Sequence, residues 1–481
     1  MKIVVMKFGG TSVEDAAAIQ RTAEIVAGRR AKGLAPVVIV SAMSKVTDQL
    51  LAAANAAERG DGAGALAISA RLRHRHLETA RALLSGAALQ DTSSWLEQQF
   101  QSLDDLLRGL AAVQELTPRT SDLVVSHGER LSSRIIAEFF AQRDLAGAHV
   151  DARACIVTDA QHGRAMPLEL ETEQNLARHV HPLLAQKKIP VLGGFIAATA
   201  EGVTTTLGRG GSDFTGALVG RGLDASAIEI WTDVNGIMTT DPRVCADALR
   251  VKAISFEEAA ELAYFGAKVL HPATILPAVQ KNIPVWVLNS KNPENGGTLI
   301  TAQAPHSRNP FKSIAIKRKL TIIDVVAGRM LMTHGYMRAI FEVFDRHKCP
   351  VDMVSTSEVS VSLTVDSNER LPQIAADLGK LADVKYEGRK ALICMVGENI
   401  RGQSGIAAQV FTAIRHVNVR MISQGASEIN MSFMLEESDV EEAVRALHEH
   451  FFQDPDPEIF DVAARDASVA RLETAQKISW E

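Results

Sequence analysis

Lys7 stands near the end of a short apolar run, Ile3 to Phe8, directly ahead of Gly9-Gly10-Thr11-Ser12. A buried ammonium without an anionic partner is expensive. A strand-end lysine beside a glycine turn therefore suits a phosphate, the alternative being a lysine that snorkels from an edge strand to water. A second concentration of chemistry lies in 204-TTTLGRGGSDFTGAL-218, where Arg209, Gly210, Gly211, Ser212 and Asp213 precede a predicted helix. The guanidinium fork of Arg209 fits a carboxylate through two parallel hydrogen bonds. Ser212 and nearby backbone N–H groups offer donors to further oxygens at the helix start. Asp213 either caps that helix or anchors Lys7 and keeps it charged. In 126-SHGERLSSRI-135, Glu129 enters a helix after Gly128, as a helix-start carboxylate or as a counter-charge for a substrate ammonium. Thr47, in 41-SAMSKVT-47, supplies either a hydroxyl for a ligand or a helix N-cap. The loop 231-WTDVNGIMTTDPR-243 brings Thr232, Asp233, Asp241 and Arg243 together. That mixture suits a nucleotide and is also ordinary turn chemistry. Lys268, ahead of 270-LHPA-273, reads on its own as a solvated helix lysine.

Such residues need a scaffold that gathers strand ends. Three glycine pairs, Gly9-Gly10, Gly193-Gly194 and Gly210-Gly211, each follow a predicted strand. In an open parallel sheet the carboxyl ends of the strands form the ligand edge, and glycine lets backbone N–H groups approach an anion closely. None of the pairs fits G-x-x-x-x-G-K-[ST] or G-x-G-x-x-G, so neither fingerprint is present. The beginning of the chain reads as strand, glycine turn, helix (14–30) and the β-branched strand 36-PVVIV-40. A continuous apolar strand of that kind is buried on both faces, which implies a parallel sheet covered by helices. Residues 50–120 break the alternation with Ala, Leu, Arg, Gln and Glu at helical spacing, and read as a helical insertion. Its basic cluster, 71-RLRHRH-76, reads as a solvated helix face. The α/β pattern resumes at Val124 and runs through the strand 283-IPVWVLN-289 to an Asn-, Gly-, Pro- and Ser-rich linker at 293–310.

Beyond the linker the sequence repeats. A helix runs into 351-VDMVSTSEVSVSLTVD-366 and another into 419-VRMISQGASEINMSFMLE-436. Both copies carry Ser-Glu ahead of an alternating strand and are followed by a helical stretch, so two small α+β modules are expected. Each presents a strand edge for pairing with its copy or with a second chain. The 481 residues suit roughly three domains at about 150 residues each. A 46% hydrophobic and 22% charged composition excludes a disordered or collagen-like chain. The net charge of −6 offers no basic face for nucleic acid or an anionic membrane, so neither is an expected partner. Four dispersed cysteines, with no C-x-x-C pair, form neither a disulfide framework nor a zinc site and fit a reducing compartment. The amino-terminal apolar run is too short for a signal peptide, and no stretch reaches the ~18 apolar residues of a membrane span. The expectation is a soluble cytoplasmic protein.

Taken in order, MKFGGTSV, SHGERLS, GRGGSDFT, WTDVNGIMTTDPR and GAKVLHP resemble the aspartate kinases, and the two repeats resemble their paired ACT regulatory modules. The resemblance spans essentially the whole chain and points to the monofunctional, lysine-sensitive type. It implies an amino-acid kinase fold, a three-layer α/β/α sandwich, over residues 1–300. ACT modules of the ferredoxin-like α+β kind would follow at 315–385 and 390–460, with a terminal segment at 461–481. It further implies that Lys7, Gly9 and Gly10 hold the transferring phosphoryl group, with Asp213 beside Lys7. Thr47, Glu129, Arg209, Gly210, Gly211 and Ser212 would hold aspartate. Thr232, Asp233, Met238, Arg243, Lys268 and Val269 would contact ATP, supplied with Mg2+ and with no resident structural metal. Met238 stands where the family often has Tyr. The effector, lysine first and threonine second, would touch Met330, Thr333, Tyr336, Met337, Val351, Asp352, Ser357 and Glu358. Met332 and Thr333 depart there from a lysine-sensitive pattern with His and Ser. A homodimer through the ACT modules, or a tetramer, is implied as well. The acceptor carboxylate is already ionised at pH 7. Such a reaction needs alignment and charge neutralisation and no general base, consistent with the lack of an evident catalytic triad.

Overall fold

The computed structural model describes residues 2–266, 272–326, 334–366 and 369–462. The chain divides into two units, Met1–Gly236 with Val269–Ala304, and Ile237–Lys268 with Pro305–Glu481. The elements begin with β1 (Lys2–Phe8), α1 (Ala16–Ala31), β2 (Leu34–Val40), α2 (Val46–Glu58), α3 (Gly62–Leu83), α4 (Gly86–Val113), α5 (Pro118–Val125) and α6 (His127–Gln142). There follow β3 (Gly147–Val150), β4 (Val157–Thr158), α7 (Glu169–His179), α8 (His181–Ala185), β5 (Ile189–Gly193), β6 (Ile196–Thr199), β7 (Thr204–Thr206), α9 (Gly211–Gly222) and β8 (Ala227–Thr232). The second unit contributes β9 (Ala253–Ser255) and α10 (Phe256–Tyr264), after which α11 (Pro272–Gln280), β10 (Val285–Asn289) and β11 (Thr298–Thr301) complete the first. The remainder is β12 (Phe311–Val326), α12 (Tyr336–Arg346), β13 (Val354–Thr356), β14 (Ser360–Val365), α13 (Leu371–Leu378), β15 (Asp383–Gly397), α14 (Ile406–Ala413), β16 (Met421–Gln424), β17 (Asn430–Glu436) and α15 (Val440–Phe451).

In the first unit the strands lie in the order β3-β5-β2-β1-β8-β10-β11. All the pairings are parallel except β10 with β11. Val37, Val38, Ile39 and Val40 are fully buried. Helices on both faces exclude water from this strand, which is why it shows no polar alternation. A smaller sheet, β4-β6-β7, stands beside the main one. Residues 50–120 are helical in α2 to α5, and their apolar stripe (Leu72, Phe100, Leu103, Leu107) joins the same core as Val38 and Phe8. In the basic cluster within α3, Arg71 and His74 are exposed as expected of a solvated face, while the other members depart from it. His76 is fully buried against Phe100, and burial lowers its pKa to about 4. Arg73 pairs with Asp104, and Arg75 reaches two backbone carbonyls described below.

The second unit contains one six-stranded sheet, β13-β14-β12-β15-β17-β16. Its two central strands are long, and each breaks register midway, where Lys319 and Arg389 adopt φ of 61° and 56°. The Thr321–Val326 half of β12 pairs with β14 of the first repeat. The opposite half pairs with Ile393–Gly397 of β15, which in turn pairs with β17. The two repeats are thus fused through shared strands, with the start of β12 completing the second copy. Residues 237–268, expected with the catalytic domain, belong to this unit. Ser313 Oγ donates to the Met238 carbonyl (2.7 Å), Thr239 Oγ1 and His448 Nε2 lie 2.8 Å apart, and a buried Lys312–Glu258 ion pair closes at 2.9 Å. The stretch after α15 bridges Phe460 to Val251, and residues 463–481 lie outside the described ones. No helix among the described residues is long and apolar enough to cross a membrane.

Candidate active site

At the carboxyl ends of β1, β2 and β8 the first unit opens a cleft of about 520 Å3, lined by Lys7, Gly10, Thr47, Glu129, Gly211, Ser212, Asp213 and Thr232 among others. Lys7 Nζ lies 2.7 Å from Asp213 Oδ1, and both side chains are mostly buried. Of the two roles open to Asp213, the structure shows the anchor. Gly210, at a left-handed φ of 71°, starts α9 without a side-chain cap, and Asp213 in the first turn faces Lys7. The burial that makes a lone ammonium expensive is thereby offset by a fixed carboxylate. Gly9 and Gly10 line the cleft beside Lys7, with the Gly9 N–H committed to the Trp231 carbonyl at 2.9 Å.

Glu129 is the third residue of α6 and only 3% exposed. One of its carboxylate oxygens, Oε2, has no hydrogen-bond partner. Burial drives its pKa up to about 8, against the opposing pull of the Ala42 backbone and Lys7. An acid in that state is poised to ionise when a cation reaches it. The glycine pair Gly193-Gly194 makes this packing possible. A Cβ on Gly193 would stand 2.9 Å from Glu129 Cβ, and one on Gly194 would stand 2.7 Å from Ser212 Cβ. Their absent side chains let α6 and α9 press Glu129 and Ser212 over the end of β5.

Thr47 lines the cleft and is not the cap of α2. That place falls to Lys45, which has φ of 65° and makes no side-chain capping bond. Lys45, Asp48, Ser41, Ser44 and Phe195 also line the cleft and were missed from sequence. Phe195 shares the left-handed conformation at φ 65°, a strain that tends to gather at functional sites. Only backbone angles betray it. Arg75 of the helical insertion donates 2.8 Å hydrogen bonds to the carbonyls of Ser44 and Glu14, so the insertion braces the wall of the cleft.

Not every expected residue faces the cleft. Arg209 is exposed and lies outside the lining, although its neighbours Gly208, Gly210 and Gly211 belong to it. Thr232 lines the cleft, while Asp233 beside it is exposed. Met238 and Arg243 belong to the second unit. There Arg243 makes a fork of hydrogen bonds to Asp241 at 2.7 to 3.2 Å. Lys268, Val269, Met330 and Thr333 lie outside the described residues.

In the first repeat Tyr336 and Met337 open α12 and pack against its core. Val351 and Asp352 precede β13, and Ser357 and Glu358 occupy the exposed turn between β13 and β14. The Asp352 side chain is 4% exposed and is already engaged: Lys317 Nζ lies 2.8 Å from its Oδ1 and 3.3 Å from Asp366 Oδ2. Lys317 also stands 5.7 Å from the ring centre of Tyr264 in α10. In the second repeat the corresponding turn is held by Glu261 of the same helix, which accepts from Ser427 Oγ (3.1 Å) and Asn430 Nδ2 (2.7 Å).

A strand-end lysine fixed by a carboxylate, a glycine-rich helix start and a buried acid, gathered at one edge of a parallel sheet, define a small-molecule phosphotransferase of the amino-acid kinase class. Residues 2–289 match the amino acid kinase family and residues 393–451 the ACT domain. The chain is 37% identical to the lysine-sensitive aspartokinase 3 of Escherichia coli (strain K12), over 94% of this chain and 100% of that one. The crystal structure of E. coli aspartokinase III with aspartate and ADP superimposes with a TM-score of 0.81 at 36% identity, covering 94% of this chain and all of that one. The structure of that enzyme with lysine and aspartate gives 0.80 over the same shares. The chain belongs to the aspartokinase family and is an aspartate kinase, using ATP to phosphorylate aspartate.

Proposed function

We propose that the cleft holds L-aspartate between Glu129, on its α-ammonium, and the Arg209-Gly210-Gly211-Ser212 loop, on its α-carboxylate. Thr47 steadies the side chain. Only the side-chain carboxylate is then free to attack the terminal phosphoryl group of MgATP, yielding 4-phospho-L-aspartate. Lys7, aimed by its ion pair with Asp213, neutralises the phosphoryl oxygens, where charge stabilisation is worth most. The nucleotide lies along Gly9, Gly10, Thr232 and Asp233, and Mg2+ arrives with it, held mainly by its phosphates. Arg209 turns inward from its exposed position when the substrate carboxylate arrives. The observation that carries this reading is that Lys7, Asp213 and Glu129 line one cleft, the first two paired with each other and Glu129 buried with one carboxylate oxygen unpartnered.

The ACT pair would sense an end product, lysine foremost and threonine second, with its ammonium on Asp352 or Glu358 and contacts from Tyr336, Met337, Val351 and Ser357. E. coli aspartokinase III has been crystallised with lysine, which favours that effector. The exposed Val354 and Ile422 on the edge strands β13 and β16 favour a homodimer through this sheet. Four free cysteines favour the reducing cytoplasm. The test is an acyl-phosphate trap: protein, MgATP and hydroxylamine with L-aspartate or L-glutamate in parallel, with and without millimolar lysine. Hydroxamate from aspartate alone, suppressed by lysine, is the expected result. Product from glutamate at a similar rate would refute the assignment of the cleft.

A further inference from the structure

We infer that Asp122, a residue outside the cleft, sets the spacing between the two groups that grip the amino-acid end of the substrate; the inference rests on the placement of aspartate proposed above. Asp122 lies in α5 and is 2% exposed. Its Oδ1 accepts from Thr206 Oγ1 at 2.6 Å and from the Gly163 N–H at 3.1 Å. Its Oδ2 accepts from His162 Nδ1 at 2.9 Å and from the same N–H at 3.0 Å. None of the ion pairs among the described residues gives it a lysine or arginine.

The donors come from segments that matter to the cleft. Thr206 ends β7, one residue before Leu207 leads into Gly208 and the Arg209–Ser212 loop. The turn holding His162 and Gly163 lies under that loop, for the Gly163 carbonyl is 3.2 Å from where a Cβ of Gly208 would stand. The Ala165 N–H, donating to the Thr206 carbonyl at 2.9 Å, ties turn and strand together. On the other side, α5 hands over directly to α6, with the Ser126 N–H on the Asp122 carbonyl at 3.0 Å, and Glu129 follows three residues later. One buried carboxylate on α5 therefore joins the lead-in to the helix of Glu129 to the segment that runs into Ser212 at the start of α9. The ammonium and carboxylate of an α-amino acid sit on the same carbon, so their two protein partners must keep a fixed separation. An ångström of drift there disturbs binding far more than folding.

The carboxylate, as opposed to an amide of the same shape, is what the arrangement needs. Three donors converge on Asp122, and an asparagine would offer one acceptor oxygen and turn its own N–H groups on the rest. The experiment compares Asp122→Asn, Thr206→Val and His162→Ala with the wild-type protein in the hydroxamate assay, alongside thermal melts. Asp122→Asn is expected to raise the aspartate KM about tenfold, the loss of one hydrogen bond to a charged group. The ATP KM and kcat should stay within about twofold. Thr206→Val and His162→Ala should shift aspartate KM in the same direction by less, and they decide the matter if Asp122→Asn does not fold. Aspartate KM unchanged, or rising in step with ATP KM as the melting temperature falls, overturns the inference and leaves the kinase assignment intact. Absence of hydroxamate from aspartate with the wild-type protein overturns both together.

Discussion

Glu129 gives the sharpest quantitative test of the substrate site. With a pKa of about 8, raised by burial, its carboxyl is mostly neutral in the free protein at neutral pH. About ten molecules in eleven carry the proton at pH 7. The aspartate ammonium binds the ionised form, so each binding event must expel that proton first. If the complex holds Glu129 ionised, binding at pH 7 releases roughly 0.9 proton and costs about 1.4 kcal/mol in apparent affinity. The sign follows from the direction of the shift. Affinity rises with pH up to about 8, improving roughly fivefold between pH 7 and 8 and falling roughly ninefold between pH 7 and 6. In the free protein this same group makes folding stability decline as pH climbs from 4.5 towards 8, because the unfolded chain surrenders the proton first. Titration calorimetry of L-aspartate at pH 7, in buffers of different ionisation enthalpy, measures the released proton directly. Glu129→Gln should release none and show a flat pH profile with weaker binding. No proton release by the wild-type protein, together with a KM independent of pH from 6 to 8, would refute the pairing of Glu129 with the ammonium.

Lys7→Met should lower kcat by about 10²–10³ with little change in aspartate KM, as expected for a charge that acts on the transferring group; steady-state kinetics with both substrates varied decides it, and a pure KM effect would move Lys7 out of the transfer step. Gly194→Ala places a methyl 2.7 Å from Ser212 Cβ. Overpacking of that kind should cost about 1–3 kcal/mol in a denaturant melt and raise aspartate KM, whereas an unshifted melt would mean that α9 yields freely. Lys317→Met removes the ammonium that occupies Asp352, and the lysine concentration for half-inhibition should fall several-fold. An increase instead would show that Lys317 assists the effector and does not compete with it.

What could be read from the sequence, and what could not, divides along physical lines. Lys7 was legible because a cation inside an apolar strand must be matched by some distant residue, and Asp213 in the glycine-rich segment was one candidate, which the structure pairs with it. Parallel strands, the helical stretch at 50–120 and the twofold repeat were legible because burial on two faces, helical spacing and internal similarity are local patterns. A missing side chain, by contrast, carries no address. Gly193 and Gly194 looked like a ligand-edge turn, while their reason is the room demanded by Glu129 and Ser212 from two other helices. The basic run 71–76 was legible only in part: Arg71 and His74 are solvated as expected, but charge says nothing of which carbonyl or ring awaits the others. Arg75 spans to Ser44 and Glu14, and only the packing of α3 on the cleft loop reveals it. The fusion of the two repeats was hidden for a further reason. Strand propensity does not state which half of a sixteen-residue strand pairs with which neighbour, and the register break at Lys319 and Arg389 requires left-handed angles that neither residue type announces. Asp122 belongs to the same hidden class. It reads as one acid among many in a short helix, and its importance comes entirely from three donors delivered by a turn and a strand more than thirty residues away.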